Sequence, residues 1–147
     1  MTYPSTLTIP GQRLSAALAL LRIVAGGIFI AHGAQKLFVF GLAGVAGAFG
    51  QMGAPLPAVT GPAIAFLEFF GGIALVLGLF TRPVALLLAV DMLGAILLVQ
   101  IRKGLIGGYE LELLLLGTAL ALAVAGAGEY SFDRVLSARK AKVRRHA

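Results

Sequence analysis

Four long apolar stretches, separated by short polar or glycine-rich breaks, dominate the pattern of the chain. They cover about residues 14–40, 62–80, 83–101 and 109–127. Each is long enough for a helix that crosses a hydrocarbon core of about 30 Å, which takes roughly 20 apolar residues. None shows the alternation of apolar and polar positions that is typical of a strand in a membrane barrel. The pattern therefore predicts an all-α fold, an integral membrane four-helix bundle, as a single domain over residues 1–133.

The breaks between the stretches carry helix-stop signals. Pro83 follows Thr81–Arg82, and a proline favours the first turn of a new helix over the continuation of an old one. The third stretch ends at Arg102–Gly104, and Gly107–Gly108 precedes the fourth. The connection over residues 41–61 carries no charge and is too apolar for a solvated loop. We expect a short helix or a re-entrant segment there.

The composition supports a membrane protein and removes several kinds of chemistry. Hydrophobic residues make up 59% of the 147 residues and charged residues only 12%, which leaves too little polar surface for a water-soluble globule. The chain has no cysteine, so thiolate catalysis and cysteine-ligated clusters are excluded on it. His32 and His146 lie far apart in sequence, and we therefore predict neither a metal site nor a haem with two histidine ligands.

The net charge of +6 comes mostly from the basic tail, residues 134–147. Its basic residues are Arg134, Arg139, Lys140, Lys142, Arg144 and Arg145. A tail lying against anionic lipid explains this charge more simply than nucleic acid, which we do not expect as a partner. Arg13 and Arg82 lie on the same side, whereas only Lys36, Arg102 and Lys103 lie on the other. We therefore expect both termini in the cytoplasm.

Asp133 is placed to cap a short amphipathic helix through the tail.

Two ionisable residues of opposite charge fall at the same depth in the predicted bundle. An ionisable group at the centre of a membrane helix costs at least about 2.5–3.5 kcal/mol, so such groups tend to find partners. With a rise of about 1.5 Å per residue, Arg22 and Asp91 both lie about 12 Å from the face that carries the termini. We predict that they form an interhelical ion pair, Arg22–Asp91, that is structural rather than catalytic.

A second polar group lies toward the opposite face and supplies the candidate ligand site. His32 and Lys36 are four residues apart and share a helix face, and Glu68 has no partner nearby in the sequence. These three are the predicted ligand-binding residues. The supporting polar residues are Arg82, Gln35, Gln100, Glu110 and Glu112. A structural role is the alternative for each: Lys36 would reach the membrane interface and Glu110 would cap its helix.

Taken together, these positions resemble the DoxX family. The matching residues are Leu21, Arg22, Gly27, Phe29, His32, Gly33, Lys36, Leu37, Gly53, Pro55, Phe66, Leu67, Glu68, Gly71, Gly72, Leu77, Gly78, Thr81, Arg82, Gly126, Ala127, Gly128, Ser131, Phe132 and Asp133. They span nearly the whole chain, and the basic tail looks like an individual extension. Arg22, His32, Lys36, Glu68 and Arg82 match the polar motif positions of the family.

The resemblance implies a small four-helix protein of a bacterial cytoplasmic (inner) membrane. Some members of the family are linked to redox chemistry, among them a subunit of a thiosulfate:quinone oxidoreductase and a membrane oxidoreductase complex in oxidative-stress defence. Function at this level rests on analogy with the family. Many members have no defined activity, so the resemblance assigns no catalytic residue.

Three functions fit these observations. In the first, a quinone binds between the helices, His32 and Lys36 donate to its carbonyl oxygens, Glu68 relays protons, and a soluble oxidoreductase partner supplies the electrons. Nearby phenylalanines would pack against the ring or simply face lipid. In the second, the protein is a non-catalytic membrane anchor or assembly subunit whose polar groups only join helices. The third, a small-molecule carrier, would require a homo-oligomer because four helices are few for a pathway.

Overall fold

The computed structural model describes the backbone of residues 11–144 and the side chains of residues 11–138. Within this part of the chain every regular element is helical. Four helical segments are long and apolar enough to cross a membrane: Gly11–Gln51, Pro57–Leu77, Thr81–Lys103 and Leu105–Ala125. The predicted class, an all-α membrane protein with four spans, is confirmed.

Six α-helices build these segments and the start of the tail. They are α1 (Gly11–Ala34), α2 (Gly41–Gln51), α3 (Pro57–Leu77), α4 (Thr81–Ala95), α5 (Glu110–Ala125) and α6 (Phe132–Arg144). Wider π-type turns continue α1 through Gln35–Phe40 and α4 through Ile96–Gln100. We call the end of the bundle that carries residue 11 and α6 the inner end, and the opposite end the outer end.

The second span is displaced from the predicted range because backbone conformation, not apolar content, sets its ends. The helix α3 begins at Pro57, directly after Leu56 in a left-handed conformation, and Pro62 lies inside it. It stops at Leu77 because Gly78 has φ of 68°, which breaks the helical path. A proline does mark this helix start, but it is Pro57 and not Pro62 that occupies the first turn.

The apolar connection over residues 41–61 contains the helix α2, which packs against α3. Val45 is buried in this contact, and its side chain faces Gly61, whose missing side chain lets the helices approach. This packing accounts for the lack of charge in the connection. It also places α2 over the outer half of α3, where it forms one wall of the cavity described below.

Close contact between α1 and α3 depends on glycines. A Cβ atom built on Gly26 would lie 2.7 Å from the carbonyl oxygen of Gly72, and one on Gly72 would lie 2.7 Å from that of Gly26. Helices in lipid gain little from burying apolar surface, so such direct backbone packing is a main source of their association. The fully buried side chains of Phe29, Leu75 and Leu88 fill the core, and α4 packs along α5.

Candidate functional site

An ion pair between Lys36 and Glu68 lies near the outer half of the bundle. Lys36 stands in the π-type turn that follows α1, and its ammonium group donates a hydrogen bond to the Glu68 carboxylate on α3. The Glu68 side chain is only 5% exposed and that of Lys36 is 21% exposed. The ion pair therefore joins two of the three predicted ligand-binding residues directly.

The ion pair forms part of the wall of a cavity of about 440 Å³ between α2, α3 and α4. Its polar wall residues are Lys36, Glu68, Asp91 and Gln100. The rest of the wall is apolar and includes Phe49, Met52, Leu67, Val90 and Leu98. A mostly apolar cavity with a few convergent polar groups is the usual form of a small-molecule site. We refer to this space as the large cavity.

The predicted Arg22–Asp91 ion pair is not formed. Asp91 is 8% exposed and lines the large cavity, whose wall it shares with Glu68 and Lys36. Arg22 instead donates to the carbonyl oxygens of Leu75, at 3.2 Å, and Tyr130, at 2.5 Å. Equal depth of the α-carbons was misleading because depth along the helix axis does not determine which side of its helix a side chain occupies. The arginine lies against Gly78 and Tyr130, whereas Asp91 lies in the cavity wall with Glu68.

Arg22 belongs to a second polar group, which we call the inner network: Arg22, Gly78, Thr81, Ser131 and Asp133. The Asp133 carboxylate accepts hydrogen bonds from the backbone N–H groups of Phe80 and Thr81, at 2.8 and 2.9 Å, and so caps α4. Gly78 lies against the Arg22 guanidinium, which occupies the space that a Cβ atom would need. The network thus joins α1, the end of α3, the start of α4 and the start of α6.

The predicted cap of the tail helix is corrected by this arrangement. Asp133 lies in the first turn of α6, but its carboxylate serves α4. The cap of α6 is Ser131, whose hydroxyl oxygen accepts from the backbone N–H of Arg134 at 3.3 Å. The sequence pattern pointed to Asp133 as the cap of the tail helix, and only the fold shows that its carboxylate caps α4.

A smaller cavity of about 100 Å³ lies on the other side of the ion pair, between α1, α3, α4 and α5. His32, Lys36, Glu68 and Glu112 supply its polar wall. The Gln100 side-chain amide donates a hydrogen bond to the Glu112 carboxylate at 3.2 Å, and this bond joins the π-type turn after α4 to α5. His32, the third predicted ligand-binding residue, therefore faces the small cavity and not the large one.

Three of the five supporting polar residues lie away from both cavities. Arg82 is exposed at the inner end, beside Gly126. Gln35 is exposed on the turn after α1. Glu110 is exposed and accepts a hydrogen bond from the backbone N–H of Gly107 at 3.2 Å, the capping role that was its structural alternative. Gln100 and Glu112, by contrast, reach the cavities.

Sequence reasoning missed part of the large cavity. Phe49 and Met52, from the apolar connection, line it, as does Asp91, which was assigned to another partner. The phenylalanines expected near a ligand ring pack mainly on one another, as in the edge-to-face pairs of Phe69 with Phe38, at 5.6 Å, and with Phe70, at 5.2 Å. The uncharged character of residues 41–61 was the available signal that this segment covers a site.

Comparison with known proteins gives the family. The sequence profile of DoxX matches residues 17–101, which is more than half of the chain. A Bacillus subtilis protein named "Putative oxidoreductase CatD" is 37% identical, and the match covers 78% of this chain and 82% of that one. An uncharacterized Haemophilus influenzae protein is also 37% identical, with 79% and 87% covered. An uncharacterized membrane protein of Mycobacterium tuberculosis, Rv3486, is 30% identical, with 81% and 80% covered.

No solved structure matches the chain. The family match includes Arg22, Lys36, Glu68 and Asp91, so both the ion pair at the cavity and the arginine of the inner network lie inside it. The apolar connection that forms α2 is included as well. On the length of this match and the identity of its relatives, the chain belongs to the DoxX family of membrane proteins.

Proposed function

We propose that the large cavity binds a quinone, or another small apolar ligand with an oxygen acceptor. In this proposal the protein is the membrane subunit of a redox system in a bacterial cytoplasmic membrane, with both termini in the cytoplasm. A soluble oxidoreductase partner supplies the electrons. The observation that carries the proposal is the buried Lys36–Glu68 ion pair in the wall of an otherwise apolar cavity.

The size and lining of the cavity suit such a ligand. A volume of about 440 Å³ lies within the usual range for small-molecule sites, about 300–1,000 Å³. The Lys36 ammonium has three N–H donors, and Glu68 takes one of them in the structure. The remaining donors are available to a carbonyl oxygen of a ligand. Phe49 and Leu98 offer apolar surface to its ring.

The energetics of the ion pair also favour a binding role. Removing two charges from water costs several kcal/mol per ion, and well-packed apolar residues often stabilise a fold as well or better. Asp91 adds a third ionisable residue to this wall, and its Oδ2 atom is buried without a hydrogen-bond partner in the described part of the chain. A polar ligand group that reached this oxygen would satisfy it.

The redox context is supported by the relative whose name includes an oxidoreductase. This chain has no cysteine, so no thiol of its own can carry electrons. A separate oxidoreductase is therefore the natural electron source in the proposal. The direct test is to purify the protein in detergent, extract bound small molecules, and identify them and any co-purifying chain by mass spectrometry.

The binding test uses a soluble naphthoquinone titrated into purified wild-type protein and two variants. Glu68→Gln replaces the carboxylate that holds Lys36 by a neutral amide, whose oxygen accepts more weakly. We therefore expect affinity to fall by roughly tenfold or more, the effect of losing one charge-assisted hydrogen bond. Glu129→Gln changes the same group at an exposed inner-end position and should bind like wild type. Equal affinity of all three proteins would show that Glu68 does not contribute to quinone binding, and the large cavity would then not be the quinone site. A stoichiometric partner with no quinone would instead indicate an assembly subunit.

A further inference from the structure

We propose that the small cavity is a water-filled vestibule through which the Lys36–Glu68 pair exchanges protons with the aqueous phase at the outer end of the bundle. The proposal concerns the hydration and sidedness of this space. It rests on the proposed function only for the use of those protons at the large cavity, where they would reach a ligand oxygen next to Glu68.

The lining of the small cavity distinguishes it from the large one. About 100 Å³ is room for roughly three water molecules, at about 30 Å³ each. Polar groups converge on it from three elements: His32 from α1, Glu68 from α3 and Glu112 from α5. Genuinely empty cavities are apolar, whereas waters settle where two or more polar partners are available. The large cavity has a far smaller share of polar wall.

Unpartnered atoms near the small cavity also indicate water. Glu112 Oε2 and Gln100 Oε1 are both buried with no hydrogen-bond partner in the described structure. Leaving a buried polar atom unpaired costs about 1–3 kcal/mol, and more for a charged group. Almost none of the surface of Glu112 Oε2 is open to water in this conformation. A rotation of the Glu112 carboxylate toward the vestibule would give this oxygen a water partner and extend the polar path from Glu112 to the ion pair.

The ends of this path are asymmetric. Glu112 lies in the first turn of α5, beside the outer-end connection, and Leu111 in the cavity wall is 38% exposed. Toward the inner end, the fully buried residues Leu88 and Ala119 close the bundle. The charged or titratable groups that face Glu68 are therefore Lys36 and His32 from the α1 side, Asp91 from α4, and Glu112 from α5. The shared wall residues Lys36 and Glu68 connect the vestibule to the large cavity.

The accessibility of introduced cysteines to silver ions tests this path. The chain has no cysteine of its own, so every thiol that reacts is the introduced one. Leu115→Cys and Met92→Cys place a thiol in the vestibule wall from two different helices. Ala119→Cys and Leu88→Cys place one about a turn further inward, at buried positions outside the vestibule. Ag⁺ is added to one side of oriented membrane vesicles, and thiols that remain free are then labelled with maleimide in denaturant and counted by intact mass.

We expect Ag⁺ added at the outer face to protect both vestibule thiols at least about tenfold faster than the two control thiols, because the reactive thiolate needs water. Ag⁺ at the inner face should protect none of the four. Equal rates for vestibule and control positions, or protection from the inner face alone, would overturn the proposal. If one of the two vestibule variants fails to fold, the other still tests the proposal. No quinone is present, so failure here is distinct from failure of quinone binding.

Discussion

The inner network and the ion pair at the large cavity place buried charges in the same bundle in two different ways. In the inner network, Arg22 and Asp133 bond to backbone groups at or near helix ends, where the regular hydrogen-bond pattern of a helix runs out. At the large cavity, Lys36 and Glu68 bond to each other and face open space. The first arrangement joins helices, and the second leaves donor capacity for something else.

The difference shows that charge and depth alone do not indicate function in a membrane bundle. Arg22 is 1% exposed, and its partners are main-chain atoms from two distant parts of the sequence. None of the residues of the inner network lines either cavity described above. The two regions differ because the Lys36–Glu68 pair adjoins both cavities and the inner network adjoins neither. The first region should therefore control stability and the second ligand binding.

The largest effect on stability is expected from Gly78→Ala. The residue has φ of 68°, and the added methyl group would collide with the Arg22 guanidinium. Left-handed strain of about 1–2 kcal/mol plus overpacking of about 1–3 kcal/mol gives a loss of about 3 kcal/mol. Thermal unfolding in detergent, followed by circular dichroism, measures it.

The matched control is Gly107→Ala. Gly107 has φ of 73° and ψ of 8°, close to the backbone conformation of Gly78, but nothing lies within 4 Å of the position its Cβ would take. This variant suffers the backbone strain without the collision, so its loss should be about 1–2 kcal/mol. If the two alanine variants unfold at the same temperature, the tight packing of Arg22 on Gly78 contributes nothing to stability.

A pair of charge-removing variants tests most directly whether the two regions have separate roles in stability and binding. Arg22→Met removes the hydrogen bonds that the guanidinium donates to the Leu75 and Tyr130 carbonyls, and we expect about 2 kcal/mol less stability, with quinone affinity unchanged in the folded protein. The double variant Lys36→Met/Glu68→Gln removes both charges of the ion pair and so leaves no buried charge without its partner. It should do the reverse, with affinity reduced roughly tenfold or more and a small change in stability. Both quantities are measured on both proteins. Parallel losses of stability and binding in the two variants would show that the regions are not functionally separate.

Much of the fold was predictable because lipid imposes a simple rule. Backbone groups in the hydrocarbon must bond internally, so a long apolar run means a helix. The sequence also placed Lys36 and Glu68 in one site, because few other charged residues lie at that depth in the membrane. The partner of Arg22 was not predictable, because main-chain carbonyls leave no mark in the sequence. The role of Asp91 was lost with it, once it had been assigned to Arg22.

A smaller loss of stability is expected from Asp133→Asn. The carboxylate accepts from the N–H groups of both Phe80 and Thr81, and an amide oxygen can replace only part of this cap. Loss of a helix cap costs about 0.5–2 kcal/mol, so we expect about 1 kcal/mol in thermal unfolding. Ser131→Ala removes the cap of α6 instead and should affect the tail helix while leaving the four spans as stable as before. A larger loss for Ser131→Ala would reverse the assignment of the two caps.

The smallest change in stability, with a large change in binding, is expected from Gly94→Leu. Gly94 lines the large cavity, and no atom lies within 4 Å of the position its Cβ would take. The added side chain fills space that a ligand would need, while its helix propensity exceeds that of glycine by roughly 1 kcal/mol and offsets any local crowding. Unfolding temperature should thus stay near that of wild type while naphthoquinone binding is lost. Gly117→Leu is the control, because it makes the same change at an uncrowded helical glycine outside both cavities. Retained binding in Gly94→Leu would mean that the ligand lies elsewhere, and the open space beside Lys36–Glu68 would then no longer distinguish this ion pair from the inner network.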